Sequence, residues 1–135
     1  MRDLDAAADY AKALPASDGR VSAVGFCWGG GQAFRYAAHR PDLRAAFVFY
    51  GPSAPDAASI KAPVYGFYAE NDARINASLP DAEKAMKAAG KRFEPVLYAG
   101  GGHGFMRGGE DPEGRPGDRA AREKAWKRLR KLLKL

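Results

Sequence analysis

The chain alternates between short apolar runs and longer segments whose apolar residues recur every three or four positions. The apolar runs predict four buried strands, near residues 21–25, 45–50, 64–68 and 93–98. They lack the apolar–polar alternation of a half-exposed sheet, which is typical of parallel strands covered on both faces. Because strands alternate with helical segments, we expect an α/β fold with four parallel strands in sequential order and helices on both faces.

Helical spacing and turn residues predict where the helices lie. A first amphipathic helix ends before Pro15, and a second helix stops at Pro41. Ser78 and Pro80 mark the start of a third helix, and Gly90 stands where a C′ glycine would follow its end. These punctuation residues separate the predicted helices from the predicted strands on either side.

The C-terminal part of the chain predicts a loop and then a basic helix. Residues 107–118 are rich in glycine, proline and charge, so we expect a surface loop there. In the helix that follows, one apolar stripe is predicted to face the core while lysines and arginines cover the solvated face. The stripe consists of Trp126, Leu129, Leu132 and Leu133. Pro95, in the last predicted strand, has no N–H to donate and suits an edge position.

Length and charge narrow the class of protein. A chain of 135 residues is enough for one domain, which we place at 1–135. The net charge of +6 and the cations after Arg115 raise nucleic-acid binding as a hypothesis. Aromatic residues are not interleaved among those cations, so we expect a solvated helix face and no nucleic-acid partner. No apolar run approaches the ~20 residues of a membrane span, and one cysteine cannot form an internal disulfide; we expect a cytoplasmic protein without membrane contact.

The single cysteine lies between a predicted strand and a predicted helix, in Gly25-Phe26-Cys27-Trp28-Gly29. A nucleophile on a sharp strand-to-helix turn matches the Gly-x-Ser-x-Gly elbow, with cysteine in place of serine. We expect Gly25 and Gly29 to relieve crowding at the turn. The helix N-terminus favours the thiolate, and the Trp28 backbone N–H supplies half of an oxyanion hole. A lone cysteine is more often only a buried apolar residue, so the motif needs support elsewhere in the chain.

That support comes from two residues that follow later strands. Asp72, in AENDARI, comes directly after the third predicted strand, and His103, in GGGHGFMR, directly after the fourth. Together with Cys27 they lie at the carboxyl ends of strands, where α/β sheets place their sites. Nucleophile, acid, histidine is also the chain order of the α/β-hydrolases.

Other residues compete for these roles. Glu70 stays open as an alternative acid, and Asp56 is a weaker one because it is less well placed relative to a strand. His39 ends a predicted helix, where a solvated histidine is the simpler interpretation. Cys27, His39 and His103 offer no ligand pair at helical spacing and no Cys-x-x-Cys, so we expect no metal and no cofactor.

The motifs GFCWGG, ENDARI and GGHGFMR, with FVFYG after the cysteine helix, resemble those of the dienelactone hydrolases, which are α/β-hydrolases with a Cys-His-Asp triad. The resemblance implies a triad of Cys27, Asp72 and His103. It also implies that Arg107, four residues after the histidine, binds a substrate carboxylate; a solvated loop charge is the alternative for Arg107. The resemblance covers the whole chain but only about the C-terminal half of a typical family member, which implies a truncated, minimal α/β-hydrolase fold.

In the family, the other half carries the loop with the second oxyanion N–H, a glutamate that interacts with the resting cysteine, and another carboxylate-binding arginine. Without that half the cysteine strand becomes an exposed apolar edge. We therefore expect a homo-oligomer, a dimer or tetramer, whose interface involves the strand near 21–25. The alternative is that the first helix folds back over this edge and keeps the chain monomeric.

The resemblance implies a carboxylic-ester hydrolase that acts through an acyl-enzyme on small esters or lactones, without a cofactor. Ala69-Glu70 replaces a glycine that the family has shortly before the acid, so we expect a simpler esterase activity on small activated esters. The alternative is a degenerate, non-catalytic half-domain that binds a ligand or partner. The missing half favours that alternative, and the presence of all three triad residues argues against it.

Overall fold

The computed structural model describes residues 1–53 and 56–134; Ala54, Pro55 and Leu135 belong to the predicted 1–135 domain but lie outside the described residues. The four strands are β1 (Ala23–Phe26), β2 (Ala46–Phe49), β3 (Val64–Asn71) and β4 (Phe93–Gly102). The helices are α1 (Arg2–Ala13), α2 (Trp28–His39), α3 (Ala73–Asn76), α4 (Leu79–Ala88), α5 (Phe105–Gly108) and α6 (Pro116–Leu133).

The strands form one parallel sheet in the order β1-β2-β3-β4, which confirms the predicted fold class and strand order. The register pairs Gly25 with Val48 and Val48 with Gly66. Pro95 lies on β4, at one edge of the sheet, as its missing N–H predicts. The other edge is β1, directly before the cysteine.

Both faces of the sheet are covered by helices, because successive strand residues point to opposite sides and both sets are apolar. Phe47, Phe49 and Phe67 pack with residues of α6, in a cluster that also includes α5. Val48 and Val64 pack with residues of α2 and α4 on the opposite face. These two layers place the carboxyl ends of all four strands along one rim of the sheet.

The predicted third helix has the expected ends. It corresponds to α4, with Ser78 as N-cap and Pro80 in its first turn. Gly90 has a φ of 67° in the left-handed region, and its N–H donates to Lys87 O. The Lys91 N–H donates to Met86 O, which completes a Schellman motif. The C-terminal glycine of this helix was therefore placed correctly from the sequence.

The predicted surface loop over 107–118 is shorter than expected. Its start belongs to α5 and its end belongs to α6, which begins at Pro116. The difference arises because Asp118 is buried and accepts a hydrogen bond from the Gly102 N–H, so the start of α6 packs against the end of β4. Charge and proline in this stretch mark a helix start rather than a solvated loop.

The predicted stripe of the basic helix is partly wrong. The Trp126 side chain is exposed, whereas the buried positions are Asp118, Ala121, Ala125 and Leu129, with Leu132 and Leu133 packed partly buried beside them. Small alanines allow α6 to lie close to the sheet, and this rotates the tryptophan to the solvent side.

One cation of α6 also departs from the predicted solvated face. Arg128 Nη1 donates to Gly66 O at 2.7 Å, and Nη2 donates to Glu94 O at 2.8 Å. Its guanidinium lies 4.5 Å above the centre of the Phe67 ring. This partly buried arginine therefore joins α6 to two strands.

Helix α1 lies beside β1 and is joined to the segment after α2 by charged groups. Lys12 pairs with Asp42 at 2.7 Å, and Arg40 pairs with Asp9 at 2.5 Å. An open groove of about 670 Å³ remains between α1, β1 and α2. In the described part of the chain, no helix is long and apolar enough to cross a lipid bilayer.

Candidate active site

Cys27 stands on a strained turn between β1 and α2. Its φ of 55° and ψ of −122° are unusual for a residue with a side chain, and it occupies the N-cap position of α2. Its backbone N–H donates to Phe49 O at 3.0 Å, which extends the pairing with β2 by one residue. The turn leaves the thiol exposed at the rim formed by the carboxyl ends of the strands.

The two glycines of the motif differ in what they do. A Cβ on Gly25 would lie 1.9 Å from Gly29 O, so no side chain fits there. A Cβ on Gly29 would meet nothing within 4 Å, and the expectation that Gly29 relieves crowding is wrong. The close approach is instead shared by Gly30, whose Cβ would lie 2.7 Å from Phe49 O.

Three side chains from three strand ends form a continuous chain of hydrogen bonds. His103 Nδ1–H donates to Asp72 Oδ2 at 2.6 Å, and His103 Nε2 lies 3.1 Å from Cys27 Sγ. The carboxylate fixes the tautomer, because only a protonated Nδ1 can donate to it. Nε2 then accepts from a Cys27 thiol or donates to a Cys27 thiolate. The three residues are brought together as the motif predicts, and their catalytic roles stay predictions.

Asp72 is held by its place in the chain. It is the N-cap of α3, and its Oδ1 accepts from the Ile75 N–H at 3.3 Å while Oδ2 faces His103. Only 7% of Asp72 is exposed. A carboxylate with both oxygens engaged and little solvent contact is well suited to orient an imidazole.

The electrostatics of the site favour an ion pair between the cysteine and the histidine. The hydrogen bond with His103 lowers the pKa of Cys27; burial opposes this, and the Trp28 backbone N–H and the Arg74 guanidinium lower the pKa further. Burial works against protonation of His103, but hydrogen bonds to Asp72 and Cys27 outweigh it and raise the pKa of the imidazole. The two shifts together stabilise thiolate and imidazolium.

The competing residues have other partners. Glu70 Oε2 accepts from the Gly100 N–H at 2.9 Å, and His39 Nε2 lies 2.8 Å from Asp5 Oδ2. Asp56 contacts the Ser59 hydroxyl at 2.8 Å. Asp72 is therefore the acid that faces His103.

Glu70 stabilises an irregularity that brings His103 into place. Tyr98 pairs with Ala69 and Gly102 with Asn71, so β4 advances four residues where β3 advances two. The extra residues bulge, and Gly100 takes a φ of 72° there. The run of glycines before the histidine is thus a bulge that directs His103 toward Asp72.

Tyr50, which follows β2, lies beside the site although the predicted site residues do not include it. Its ring packs edge-to-face on His103 with centroids 5.2 Å apart, and its backbone φ is 37°. Burial and the nearby Cys27 charge raise the pKa of Tyr50 to about 12. In the sequence, Tyr50 could have been recognised by its place at the end of an apolar run, directly before Gly51. Because that run predicts a strand parallel to the cysteine strand, both strands end at the same rim of the sheet.

Arg107 lies on α5, four residues after His103. It lines a cavity of about 500 Å³ together with His103, Asp111 and Arg115. Among the residues that the structure describes, Cys27 does not line that cavity, and no hydrogen bond or ion pair engages the Arg107 side chain. Arg107 is thus an exposed cation that lines the same cavity as His103.

No metal site accompanies these residues in the described ranges, 1–53 and 56–134: no group of three or more histidine, cysteine, aspartate or glutamate side chains is arranged to hold an ion. The arrangement offers acid–base and nucleophilic chemistry from side chains alone. The functional groups of the site are a thiol at a helix N-terminus, an imidazole and a buried carboxylate.

Comparison with known proteins finds similar sequences along the whole chain. The protein-family model described as "Dienelactone hydrolase family" matches residues 1–135. A Methylorubrum extorquens protein assigned as a carboxymethylenebutenolidase is 38% identical over 144 aligned positions, covering 96% of this chain and 48% of the relative. An Escherichia coli protein with the same assignment is 32% identical and covers 96% and 51%.

Solved structures extend the likeness to the fold. A Klebsiella pneumoniae crystal structure assigned as a dienelactone hydrolase has a TM-score of 0.81 and 30% identity, covering 95% of this chain and 57% of that one. A Pyrococcus horikoshii acylaminoacyl peptidase, at 16% identity and a TM-score of 0.74, shares the fold alone. The chain spans about half the length of the curated relatives it matches.

Proposed function

The chain belongs to the dienelactone hydrolase family, and from that premise we propose that it is a carboxylic-ester hydrolase of small esters or lactones with Cys27 as nucleophile. The observation that carries the proposal is the unbroken hydrogen-bond chain from Asp72 through His103 to Cys27. The strained turn under Cys27 and the lowered pKa of its thiol support the same role.

In the first half of the reaction the Cys27 thiolate attacks the ester carbonyl carbon. The carbonyl oxygen takes the electron pair and is stabilised by the Trp28 backbone N–H at the start of α2. When the tetrahedral intermediate collapses, the protonated His103 gives its Nε2 proton to the departing alkoxide. The products are an alcohol and a thioester on Cys27, with His103 neutral.

In the second half a water molecule attacks the thioester. His103 Nε2 takes a proton from that water as it attacks, and Asp72 stabilises the imidazolium that forms. Collapse expels the Cys27 thiolate and releases the carboxylic acid. The acid gives up its proton, and the thiolate–imidazolium pair is restored for the next turnover.

The test is hydrolysis of p-nitrophenyl acetate by the purified protein beside its Cys27→Ala variant. Removal of the sulfur should reduce kcat/KM by at least about 10³-fold, because no other nucleophile stands at the turn. Equal rates for both proteins would favour the alternative, a non-catalytic domain that binds a ligand or partner.

We propose that Arg107 binds a carboxylate on the substrate. Its accessible guanidinium beside His103 supports this role. Arg107→Ala should reduce hydrolysis of p-nitrophenyl hemisuccinate about 5–30-fold more than hydrolysis of neutral p-nitrophenyl butyrate, the lower part of the range for an exposed charge-assisted contact. Lys124→Ala, at an exposed site on α6, is the matched control. An equal effect of Arg107→Ala on both esters would leave Arg107 a solvated charge.

We also propose that residues 1–135 form one domain and that the protein is cytoplasmic. We propose further that it is a homo-oligomer in which a second copy covers the edge of β1. Val24 is 53% exposed, Phe26 42% and Trp28 74%, so this edge presents apolar surface that helix α1 leaves open. Light scattering at micromolar concentration should give the mass of a dimer or tetramer of the 14.5 kDa chain. A single species near 14.5 kDa would contradict the oligomer.

A further inference from the structure

We propose that Asp118, a buried carboxylate at the start of α6, is a positioning residue for His103. Asp118 is 3% exposed, and its Oδ1 accepts from the Gly102 N–H at 2.8 Å, one residue before the histidine. The histidine is thus held from two sides: Asp118 fixes the backbone that leads into it, and Asp72 fixes its ring. The inference rests on the proposed role of His103.

The surroundings of Asp118 allow it little freedom. Its Oδ2 accepts from Arg115 Nε at 2.9 Å, and Arg115 Nη2 lies 2.8 Å from the same oxygen in an ion pair. A Cβ on Gly108 would lie 2.8 Å from the same Oδ2, and a Cβ on Gly102 would overlap the Arg115 guanidinium. The Gly102 contact, and a second between Gly117 and Gly100 O, bring the start of α6 close to the bulge of β4, while the Gly108 contact brings α5 close to α6.

A buried carboxylate is costly unless hydrogen bonds satisfy it, and Asp118 accepts two, one from Gly102 and one from the guanidinium of Arg115. If its only purpose were to attach α6, an apolar residue in the same position would serve, since the rest of that helix packs with alanine and leucine. What an apolar residue cannot do is accept a hydrogen bond from the Gly102 N–H. That N–H precedes a residue whose ring must meet a carboxylate and a sulfur at hydrogen-bond distance, where a displacement of about 1 Å is enough to reduce a rate ~10²-fold.

The test follows the ionisation of Cys27, which is the only cysteine, through its rate of alkylation by iodoacetamide as a function of pH. The wild type should show an apparent pKa below the ordinary value of about 8.5, and His103→Gln should raise it. Asp118→Ala should raise it by about one unit or more, which slows alkylation about tenfold below the pKa. Asp81→Ala is the matched control, because Asp81 occupies the same third position of α4 but is exposed.

Asp118→Asn keeps an oxygen that can accept from the Gly102 N–H, and its profile should lie close to that of the wild type. A second readout is the NMR titration of His103, one of two histidines; its raised pKa should fall toward the ordinary value in Asp118→Ala. In the wild type the Gly102 amide should be protected from hydrogen exchange.

The outcomes separate the two proposals. If His103→Gln does not change the alkylation profile, the proposed role of His103 fails, while the His103 titration still tests Asp118. If His103→Gln changes the profile and folded Asp118→Ala does not, Asp118 has no positioning role. Should Asp118→Ala fail to fold, a wild-type Gly102 amide that exchanges like a free peptide would equally overturn the inference.

Discussion

The two edges of the sheet differ in how neighbouring helices cover them. At the β4 edge, α6 packs along the strand, Arg128 donates to Gly66 O and Glu94 O, and Asp118 accepts from the Gly102 N–H. At the β1 edge, Val24 and Phe26 are exposed, and α1 is joined mainly by charged groups beside an open groove. Side chains of α6 thus satisfy backbone groups along one edge, while the other edge still presents apolar surface.

The candidate triad takes its residues from both sides of the sheet. Asp72 and His103 come from β3 and β4, while Cys27 comes from the exposed strand. The acid–histidine pair is fixed by short internal hydrogen bonds, whereas the position of the sulfur depends on a strand with one neighbour. We therefore expect the Asp72–His103 pair to be the more rigid part of the candidate site, and the position of the Cys27 sulfur to be sensitive to what covers β1.

The largest expected effect is on the rate of acyl transfer, when the imidazole of His103 is removed. His103→Gln removes the imidazole that the β4 side supplies, and the rate of acyl transfer to Cys27 should fall by at least about 10³-fold. His39→Gln is the control, since His39 pairs with Asp5 at an exposed position outside the candidate site. Stopped-flow measurement with p-nitrophenyl acetate distinguishes them. Similar rates for the two variants would show that His103 does not act on the sulfur.

A smaller effect is expected where α6 meets the sheet. Arg128→Met keeps an apolar stem but removes the donors to Gly66 O and Glu94 O and the cation over Phe67. The free energy of unfolding should fall by about 2 kcal/mol. Lys127→Met, at an exposed position next to it, should change it by less than about 0.5 kcal/mol. Urea unfolding gives both values, and equal values would mean that the β4 edge gains nothing from Arg128.

Two valines on neighbouring strands test the contrast directly. Val48 is buried in β2 and Val24 is exposed in β1. Val48→Ala should lower the free energy of unfolding by about 2 kcal/mol because it leaves a cavity, and this loss should not depend on protein concentration. Val24→Ala should change it by less than about 0.5 kcal/mol in the monomer.

The same pair tests the proposed oligomer when the protein is concentrated. If a second copy covers β1, the cost of Val24→Ala should grow with protein concentration, because it then weakens association as well. A cost that stays below about 0.5 kcal/mol at every concentration up to a hundred micromolar would contradict cover by a second copy at this position.

The sheet could be predicted because its determinants are local. Apolar runs, Pro95 at an edge and Gly90 after a helix each encode their structure within a few residues. The three triad residues could be predicted for the same reason, since each comes directly after a strand. The resemblance to the dienelactone hydrolases then supplied the roles that we propose for them, which a pattern of burial alone cannot do.

What could not be predicted depends on contacts between distant segments. Trp126 fits a helical stripe, but the helix rotates because Ala121 and Ala125 allow a closer approach to the sheet. Asp118 has the composition of a loop residue, and only its contact with Gly102 reveals why it is buried. Gly29 belongs to the motif, yet the crowding falls on Gly25, which faces Gly29 O, and on Gly30, which faces Phe49 O of β2.

The most direct test of the central claim, that Asp72, His103 and Cys27 act as one catalytic unit, is to trap the acyl-enzyme. The protein is mixed with p-nitrophenyl acetate, quenched in acid within milliseconds and examined by peptide mass spectrometry. We predict an acetyl group on the peptide that contains Cys27 in the wild type, with a burst of p-nitrophenol equal to it, and neither signal in Cys27→Ala or His103→Gln. Ester hydrolysis without acetylated Cys27, or acetylation that persists at the wild-type rate in His103→Gln, would contradict the claim.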